Sequence, residues 1–410
     1  IGDSMVHGIW FENGQARYAN RWTQTTGLKT ELEANKALYT GILEPVTPQA
    51  MALPGGPLKD TANTDLVFHN GKLLALWWLS GQPMSLSPKD LSTLGPETFG
   101  GKLKHGMSAH PKVDPRTGEL CFFDFSVRKR PFLRYAVVDA KGELVVDCDL
   151  DLPEAHILHD MAITERYSVL FDFPLGWDRE RLKVGKMKIA FLRDTPSRFG
   201  VIPRRGKPSD IKWFEAKPCY MYHSINAYED GAELVIQGCR VADPIPERQS
   251  ANDALARLDN IELVPHLYEW RLNLETGAVR ERVLDDRATE FPRVNDTRVG
   301  KRLRYSYNPR IAPRAELMFD GLIKYDLETG STQLWEPPQG TFVGEAAFAP
   351  RPGGTDEDDG WLVTFGTDAA RKQSWAFILD ARELARGPIA TVNLPQRIPL
   401  GFHSYWCPQA

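Results

Sequence analysis

The chain has 410 residues, with 50 basic and 54 acidic side chains and a formal net charge of −4. This balance, without any basic stripe, argues against nucleic acid as a partner, because phosphate backbones are bound by clustered Lys and Arg. The longest apolar run, residues 73–79, is far shorter than the roughly 20 residues that span a bilayer. The sequence therefore predicts a soluble protein.

The first residues and the cysteines bear on origin and compartment. Ile1 opens the sequence without an initiator Met or the basic and apolar regions of a signal peptide, so we expect an upstream segment. The five cysteines, an odd number, form no pair with metal-ligand or redox spacing. They are Cys121, Cys148, Cys219, Cys239 and Cys407. We expect reduced, mostly buried thiols and a cytoplasmic location.

Short strand patterns separated by turn residues recur along the chain. Hairpins are predicted for residues 9–12 and 15–22, for 65–69 and 72–78, and for 135–139 and 143–147, with Asn-Gly or a lone Gly at each turn. Turns at 114–118, 273–277 and 326–330 each open on Asp or Asn and close on Gly. Segments 178–191 and 246–259 look helical or irregular, and we interpret them as excursions that cap the top face.

Repeated hairpins without strand–helix–strand alternation favour a closed all-β architecture, because closure removes exposed sheet edges. We predict one β-propeller domain over residues 1–410. The repeats lack the Gly-His and Trp-Asp signatures of WD-type propellers, which disfavours a protein-binding propeller of that type.

Nine histidines form no short-range metal motif. A metal on a propeller axis can instead take one ligand from each of several blades, and the spacing of four histidines suits that pattern. They are His110, His159, His223 and His403. Since nine histidines offer many such sets, spacing alone does not select this one.

The local sequence around these four histidines resembles the iron-ligand segments of the carotenoid cleavage oxygenases. The four segments are 108–115, 159–165, 222–231 and 401–406, and further matches lie at 3–8, 199–204 and 290–293. They follow the family's order and cover essentially the whole chain. The resemblance implies a seven-bladed propeller that holds a non-haem Fe2+ ion through four neutral imidazoles and leaves positions open for O2.

The family also supports its ligands with glutamates that accept the far ring N–H, and Glu290 and Glu345 match two of these. Trp78 stands where the third is expected, so the resemblance implies that His159 lacks a carboxylate partner and that iron is retained more weakly. Thr64 matches a position where some members place a hydroxyl beside the open sites. Its alternative interpretation is an ordinary strand threonine.

Members of the family cleave an electron-rich C=C bond with O2 and give two carbonyl products. Phenol-cleaving members carry a Lys before the missing Glu and a Tyr upstream, whereas this chain has Trp77 at the Lys position and its nearest candidate Tyr is Tyr39. The resemblance therefore favours a carotenoid or apocarotenoid, a hydrophobic small molecule, over a stilbene or phenylpropene.

Two other classes stay open, a non-catalytic lipid-binding propeller and a lactonase-type hydrolase, although the hydrolase would need oxygen ligands for Ca2+. Polyenes partition into bilayers, so peripheral membrane association also stays open. Phe402 and Trp406 are candidate tunnel walls. The other histidines, namely His7, His69, His105, His156 and His266, are interpreted as structural or solvated.

Overall fold

A computed structural model describes residues 2–41, 46–178, 180, 188–245, 263–314, 316–368 and 370–407. β-strands dominate it, which confirms the all-β class. The strands are β1 (Met5–Glu12), β2 (Gln15–Trp22), β3 (Asp65–His69), β4 (Lys72–Leu76), β5 (Met84–Leu86), β6 (Thr93–Pro96), β7 (Lys112–Val113), β8 (Leu120–Phe125), β9 (Leu133–Val138), β10 (Leu144–Leu150), β11 (Met161–Ile163), β12 (Tyr167–Asp172), β13 (Leu175–Trp177), β14 (Ile189–Phe191), β15 (Ser197–Pro203), β16 (Lys212–Ala216), β17 (Tyr220–Asp230), β18 (Glu233–Val241), β19 (Pro265–Asn273), β20 (Val279–Asp285), β21 (Tyr305–Ile311), β22 (Phe319–Asp326), β23 (Thr332–Trp335), β24 (Thr341–Pro350), β25 (Gly360–Asp368), β26 (Gln373–Asp380) and β27 (Pro388–Asn393). The helices that lie entirely within these described residues are α1 (Thr26–Ala34), α2 (Pro48–Met51) and three 3₁₀ turns at Pro208–Asp210, Asp296–Arg298 and Leu384–Arg386.

The predicted hairpins form, and their turns explain why. β1 pairs with β2 around Asn13 and Gly14, whose φ values are 51° and 75°. β3 pairs with β4 around Asn70 and Gly71, with φ values of 46° and 77°. Two-residue turns with positive φ match the twist of the flanking strands, and Asn and Gly adopt that conformation at little cost.

Four antiparallel sheets of four strands follow one another along the chain. They are β3–β6, β7–β10, β11–β12–β15–β16 and β17–β20. The strands from β21 to β27 form a larger sheet in which a single residue pair, Phe319 with Val343, joins β22 to β24. β11 contacts β7 and β17, so the first strands of these three successive sheets lie side by side, and β21 contacts β24 within the larger sheet. The seven-blade count stays a prediction.

Apolar side chains that face each other across neighbouring sheets make the core. Phe199 of β15 and Trp270 of β19 have ring centroids 5.5 Å apart, and both side chains are fully buried. Burying a large apolar side chain of this kind stabilises the fold by about 1.5–3 kcal/mol. Such contacts fix the positions of the sheets relative to one another and therefore also the positions of the candidate site residues on them.

Helix α1 was not predicted, although its boundaries carry local signals. Thr25 caps its start by accepting a hydrogen bond from the Leu28 backbone N–H, and Asn35 ends it with a φ of 50°. The helical or irregular interpretation of 178–191 is wrong at its end, where β14 pairs with β13 as a short hairpin, because β-type pairing with residues 175–177 outweighs the local pattern. Residues 179 and 181–187 of that excursion, and all of 246–259, lie outside the described residues.

All five cysteines are free, as predicted. Cys121, Cys219 and Cys239 are buried, and Cys148 and Cys407 are half-buried. Within the described parts of the chain, no helix has the length and apolar character needed to cross a membrane.

Candidate metal centre

The four predicted histidines come from four separate segments. His110 lies just before β7, His159 just before β11, His223 within β17, and His403 in the segment that follows β27. His223 falls where the β17–β18 register shifts, and such irregularities turn a side chain away from the regular ladder. Residues almost 300 positions apart in the chain, His110 and His403, are therefore neighbours in the fold.

The imidazole rings pack around a common centre. The ring centroid of His110 lies 4.8 Å from those of His159 and His223 and 4.5 Å from that of His403. The His223 centroid lies 5.1 Å from that of His159 and 4.7 Å from that of His403. One nitrogen each from His110, His223 and His403 lies within 4.8 Å of the others. His159 packs against two of these three rings.

Two residues at the site have a left-handed backbone conformation that residues other than glycine rarely adopt. His110 has a φ of 64° and precedes Pro111, and Phe291 has a φ of 53° and precedes Pro292. A residue held in this region costs about 1–3 kcal/mol and persists only where the surroundings enforce it. Phe291 in turn places its ring 4.7 Å from that of His223 and 4.8 Å from that of His403.

The two predicted glutamates each accept a hydrogen bond from a clustered imidazole. Glu290 Oε2 lies 2.5 Å from His223 Nδ1, and Glu345 Oε1 lies 3.2 Å from His403 Nδ1. Glu345 Oε2 also accepts from the Ser404 backbone N–H at 2.5 Å. A carboxylate at Nδ1 keeps the proton there and leaves the Nε2 lone pair free.

A third carboxylate, Asp65, was missed by the sequence reasoning. Its Oδ2 lies 3.0 Å from His110 Nδ1, and its Oδ1 accepts from the Leu66 backbone N–H at 2.7 Å. Asp65 opens β3 immediately after Thr64. Since Asp is disfavoured in strands, a carboxylate at the head of a predicted strand was the available signal.

His159 is the imidazole without such a partner. Its Nδ1 is buried and, among the described residues, has no hydrogen-bond partner. Aromatic rings surround it instead: the centroid of Tyr222 lies 4.9 Å away and that of Trp78 lies 6.1 Å away. The residue that stands in place of the expected Glu thus packs beside the histidine that was expected to lack a partner.

The nitrogen atoms that remain open fit a divalent metal ion. Nε2 of His110 and Nε2 of His223 are buried and, within the described part of the chain, have no hydrogen-bond partner. Unpaired buried nitrogens are costly unless something binds them, and neutral imidazole is a common ligand of divalent iron, copper and zinc. The donor set therefore suits a metal held by histidines alone.

Electrostatics keep most of these imidazoles neutral, which is the form that can bind a metal ion. Burial lowers the pKa of His110, and it lowers the pKa of His159 and of His223 far below the usual value. Burial acts the same way on His403, but the charge and hydrogen bond of Glu345 outweigh it and raise the pKa of His403. Burial alone would raise the pKa of Asp65, yet its contact with His110 holds that pKa well below the ordinary range.

Thr64 and the remaining histidines take part in other contacts. Thr64 Oγ1 accepts from the Trp78 backbone N–H at 3.2 Å. The other histidine contacts are His7 with the Tyr18 hydroxyl, His69 with the Gly118 carbonyl, His105 with Asp124 and Asp147, and His156 with Asp172, while His266 lies in β19 opposite Arg240. These contacts agree with structural roles.

A cavity of about 310 Å³ adjoins the cluster. It is bordered by His110, His223 and His403 and by the charged side chains of Asp65, Lys112, Asp160, Arg293, Asp296 and Glu345. Trp406 also lines it, whereas Phe402 is 60% exposed and stacks on Phe291 at a centroid distance of 6.4 Å. The tunnel-wall interpretation of these two aromatics stays a prediction.

Comparison with known proteins decides the family. A profile of the retinal pigment epithelial membrane protein family, which includes the carotenoid cleavage oxygenases, matches residues 2–408. The chain belongs to this family. Carotenoid cleavage oxygenases are non-haem iron dioxygenases, so the resemblance noted in the sequence is confirmed and the protein is an enzyme of the dioxygenase type.

Individual carotenoid cleavage oxygenases are similar to it over most of their length. The carotenoid 9,10(9',10')-cleavage dioxygenase of Crocus sativus is 34% identical, with 99% of this chain and 79% of the relative covered. The isoeugenol monooxygenase of Pseudomonas nitroreducens is 30% identical, with 100% and 87% covered. The crystal structure of Pseudomonas brassicacearum lignostilbene dioxygenase has a TM-score of 0.87 at 29% identity, with 100% and 87% covered.

Proposed function

We propose that this protein is a non-haem Fe2+ dioxygenase that cleaves a C=C double bond of a carotenoid or apocarotenoid with O2 and gives two aldehyde or ketone products. The observation that carries the proposal is the cluster of four imidazoles, three of which are hydrogen-bonded to carboxylates. His110, His159, His223 and His403 would hold the iron, which, when bound, supplies the activation of O2. The proposal includes a seven-bladed propeller in a single domain.

Aromatic side chains near the imidazoles would orient the substrate and exclude water from it. Tyr222, Trp78 and Phe291 place aromatic rings beside the imidazoles, and none of the three borders the cavity of about 310 Å³. Aromatic walls suit a planar polyene and favour one orientation of the bond to be cleaved. In a reaction of this kind the protein contributes position and a dry site, while the cofactor contributes the chemistry.

The preference for a polyene over a phenol depends on two residues. Trp77 occupies the position of the phenol-binding Lys; its side chain is 7% exposed and carries no cation. Tyr39, the nearest upstream tyrosine, donates its hydroxyl to the Pro54 carbonyl at 2.8 Å. Neither side chain offers a phenolate partner at the imidazole cluster, so an uncharged substrate fits better.

Cleavage of a stilbene or phenylpropene is the second candidate. It is favoured by the similarity to an isoeugenol monooxygenase and to a lignostilbene dioxygenase. In such a reaction the bond lies beside a phenol ring, and this chain would have to bind the hydroxyl without the Lys and Tyr pair.

A substrate panel separates the two candidates. We expect iron-loaded protein, incubated under air with apocarotenals, resveratrol and isoeugenol, to convert apocarotenals into two carbonyl fragments, detected by mass. Consumption of O2 in step with product and a stoichiometric iron content would distinguish an enzyme from a lipid-binding propeller. Turnover of the phenols alone would reverse the substrate preference.

Thr64 is proposed to steer O2 or solvent beside the open positions. If so, Thr64→Val should lower kcat about tenfold, the loss of roughly 1.4 kcal/mol expected for one hydrogen bond. Thr64→Ser keeps the hydroxyl and should retain the rate. Iron content and the unfolding midpoint decide the meaning of the result, because the hydroxyl also accepts from the Trp78 N–H. A lower midpoint with normal kcat would assign Thr64 a structural role only.

A further inference from the structure

The carboxylates beside the imidazole cluster are distributed unevenly. His110, His223 and His403 each have one carboxylate at Nδ1, supplied by Asp65, Glu290 and Glu345. His159 has none among the described residues. The position at which the sequence resemblance predicted a carboxylate for His159 is Trp78.

One hairpin contains both Asp65, which supplies a carboxylate, and Trp78, which stands where another carboxylate was expected. Asp65 is the first residue of β3, and Trp78 follows the end of β4 by two residues. The two strands pair in a fixed register, with Asp65 opposite Leu76, and the Thr64 N–H donates to the Leu76 carbonyl at 2.8 Å. The Thr64 hydroxyl then receives the Trp78 N–H. The positions of Asp65 and Trp78 are therefore linked by the backbone of a single hairpin.

The contacts of Asp65 hold its carboxylate in one orientation. Oδ1 accepts from the Leu66 N–H at 2.7 Å while Oδ2 faces His110 Nδ1 at 3.0 Å, so both oxygens are engaged. The side chains of His110 and Asp65 are only 5% and 11% exposed. Charge-assisted hydrogen bonds in such surroundings are about twice as strong as neutral ones. The arrangement matches that of Glu345, whose Oε1 faces His403 Nδ1 and whose Oε2 accepts from the Ser404 N–H.

We propose that Asp65 is a positioning residue for His110, and that this chain supports its metal through His110, His223 and His403, whereas aromatic packing holds His159, whose Nδ1 has no partner among the described residues. The inference rests on the proposed metal centre. Asp65 holds the proton at Nδ1 and so directs the unpartnered Nε2 of His110 to the centre. The hairpin thus places a carboxylate beside His110 and an aromatic ring beside His159.

Metal affinity tests this role without reference to any substrate. Removing a carboxylate behind a histidine ligand typically costs about 10- to 100-fold in metal affinity. We expect this loss in Asp65→Asn, which keeps the shape of the side chain and removes its charge, and in Glu345→Gln as the reference. Asp147→Asn is the matched control, because Asp147 accepts from His105 Nε2 at 3.0 Å outside the cluster, and it should leave the affinity unchanged.

The experiment titrates the full-length, metal-free chain with Co2+ under anaerobic conditions and follows the visible ligand-field bands. A shifted band position in Asp65→Asn would report altered coordination by His110. Asp65→Asn with the affinity and spectrum of the unaltered chain, while Glu345→Gln loses affinity, would overturn the inference. A lower unfolding midpoint of the metal-free variant at unaltered Co2+ affinity would also overturn it, by assigning Asp65 a purely structural role. Failure of the unaltered chain to bind Co2+ would instead contradict the proposed metal centre.

Discussion

Replacing His223 by alanine is expected to abolish both iron retention and turnover. His223 touches all three other imidazoles, with centroid distances of 4.7–5.1 Å, and its Nε2 is one of the buried unpartnered nitrogens. Loss of a ligand should exceed the 10- to 100-fold effect of losing an outer partner, so we expect metal affinity to fall about 1000-fold or more. Metal analysis after dialysis and product formation under air measure the two effects.

The control for His223→Ala is His7→Gln. His7 lies in β1 and pairs with the Tyr18 hydroxyl at 2.7 Å, away from the cluster. It should retain iron and activity. Full iron content in dialysed His223→Ala, with its fold intact, would rule out His223 as a ligand and reopen the choice of metal-binding residues.

Replacing Asp160 by alanine is expected to lower the free energy of unfolding more than any other substitution described for this chain. Its Oδ1 accepts from Lys112 Nζ at 2.6 Å and from the Met161 N–H at 2.7 Å, and its Oδ2 accepts from the Ser224 N–H and hydroxyl, each at 2.7 Å. Asp160 is 2% exposed. Breaking a buried ion pair by removing one partner costs about 3–5 kcal/mol. We expect the lower end of this range, because Lys112 is partly solvated, with 23% of its side chain exposed.

Asp160→Ala should also weaken metal binding, because Asp160 adjoins His159 and its partner Ser224 adjoins His223. Denaturant unfolding of the metal-free chain gives the stability, and iron content gives the second effect. The control is Asp149→Ala, which removes a surface ion pair with Arg134 in which Asp149 is 58% exposed; such pairs contribute at most about 1 kcal/mol. Equal losses of stability in the two variants would contradict the importance assigned to Asp160.

Local patterns predicted the local structure well. The Asn-Gly turns after β1 and β3, and the Asx-to-Gly turns at 114–118, 273–277 and 326–330, form because each depends on a few neighbouring residues and on a glycine with positive φ. The capped helix α1 was missed although its signals were equally local. Thr25 precedes a segment with little apolar periodicity, and its cap was not recognised.

The candidate site was predictable only in part. Resemblance singled out the four histidines and two glutamates, and the structure brings the imidazoles together and pairs Glu290 with His223 and Glu345 with His403. The pairing of Asp65 with His110 spans 45 residues between two sheets. No turn or periodicity encodes such a contact, because it depends on how neighbouring sheets are placed side by side.

The left-handed backbone conformations of His110 and Phe291 link the shape of the site to the packing of the whole fold. Both precede proline, whose ring restricts the residue before it, and both are unfavourable for a free chain. The packing of the surrounding sheets must therefore hold these two residues in place. The free-energy cost of bringing the imidazoles together would then be offset by the packing of the sheets, so a substitution that loosens this packing should also disturb the site.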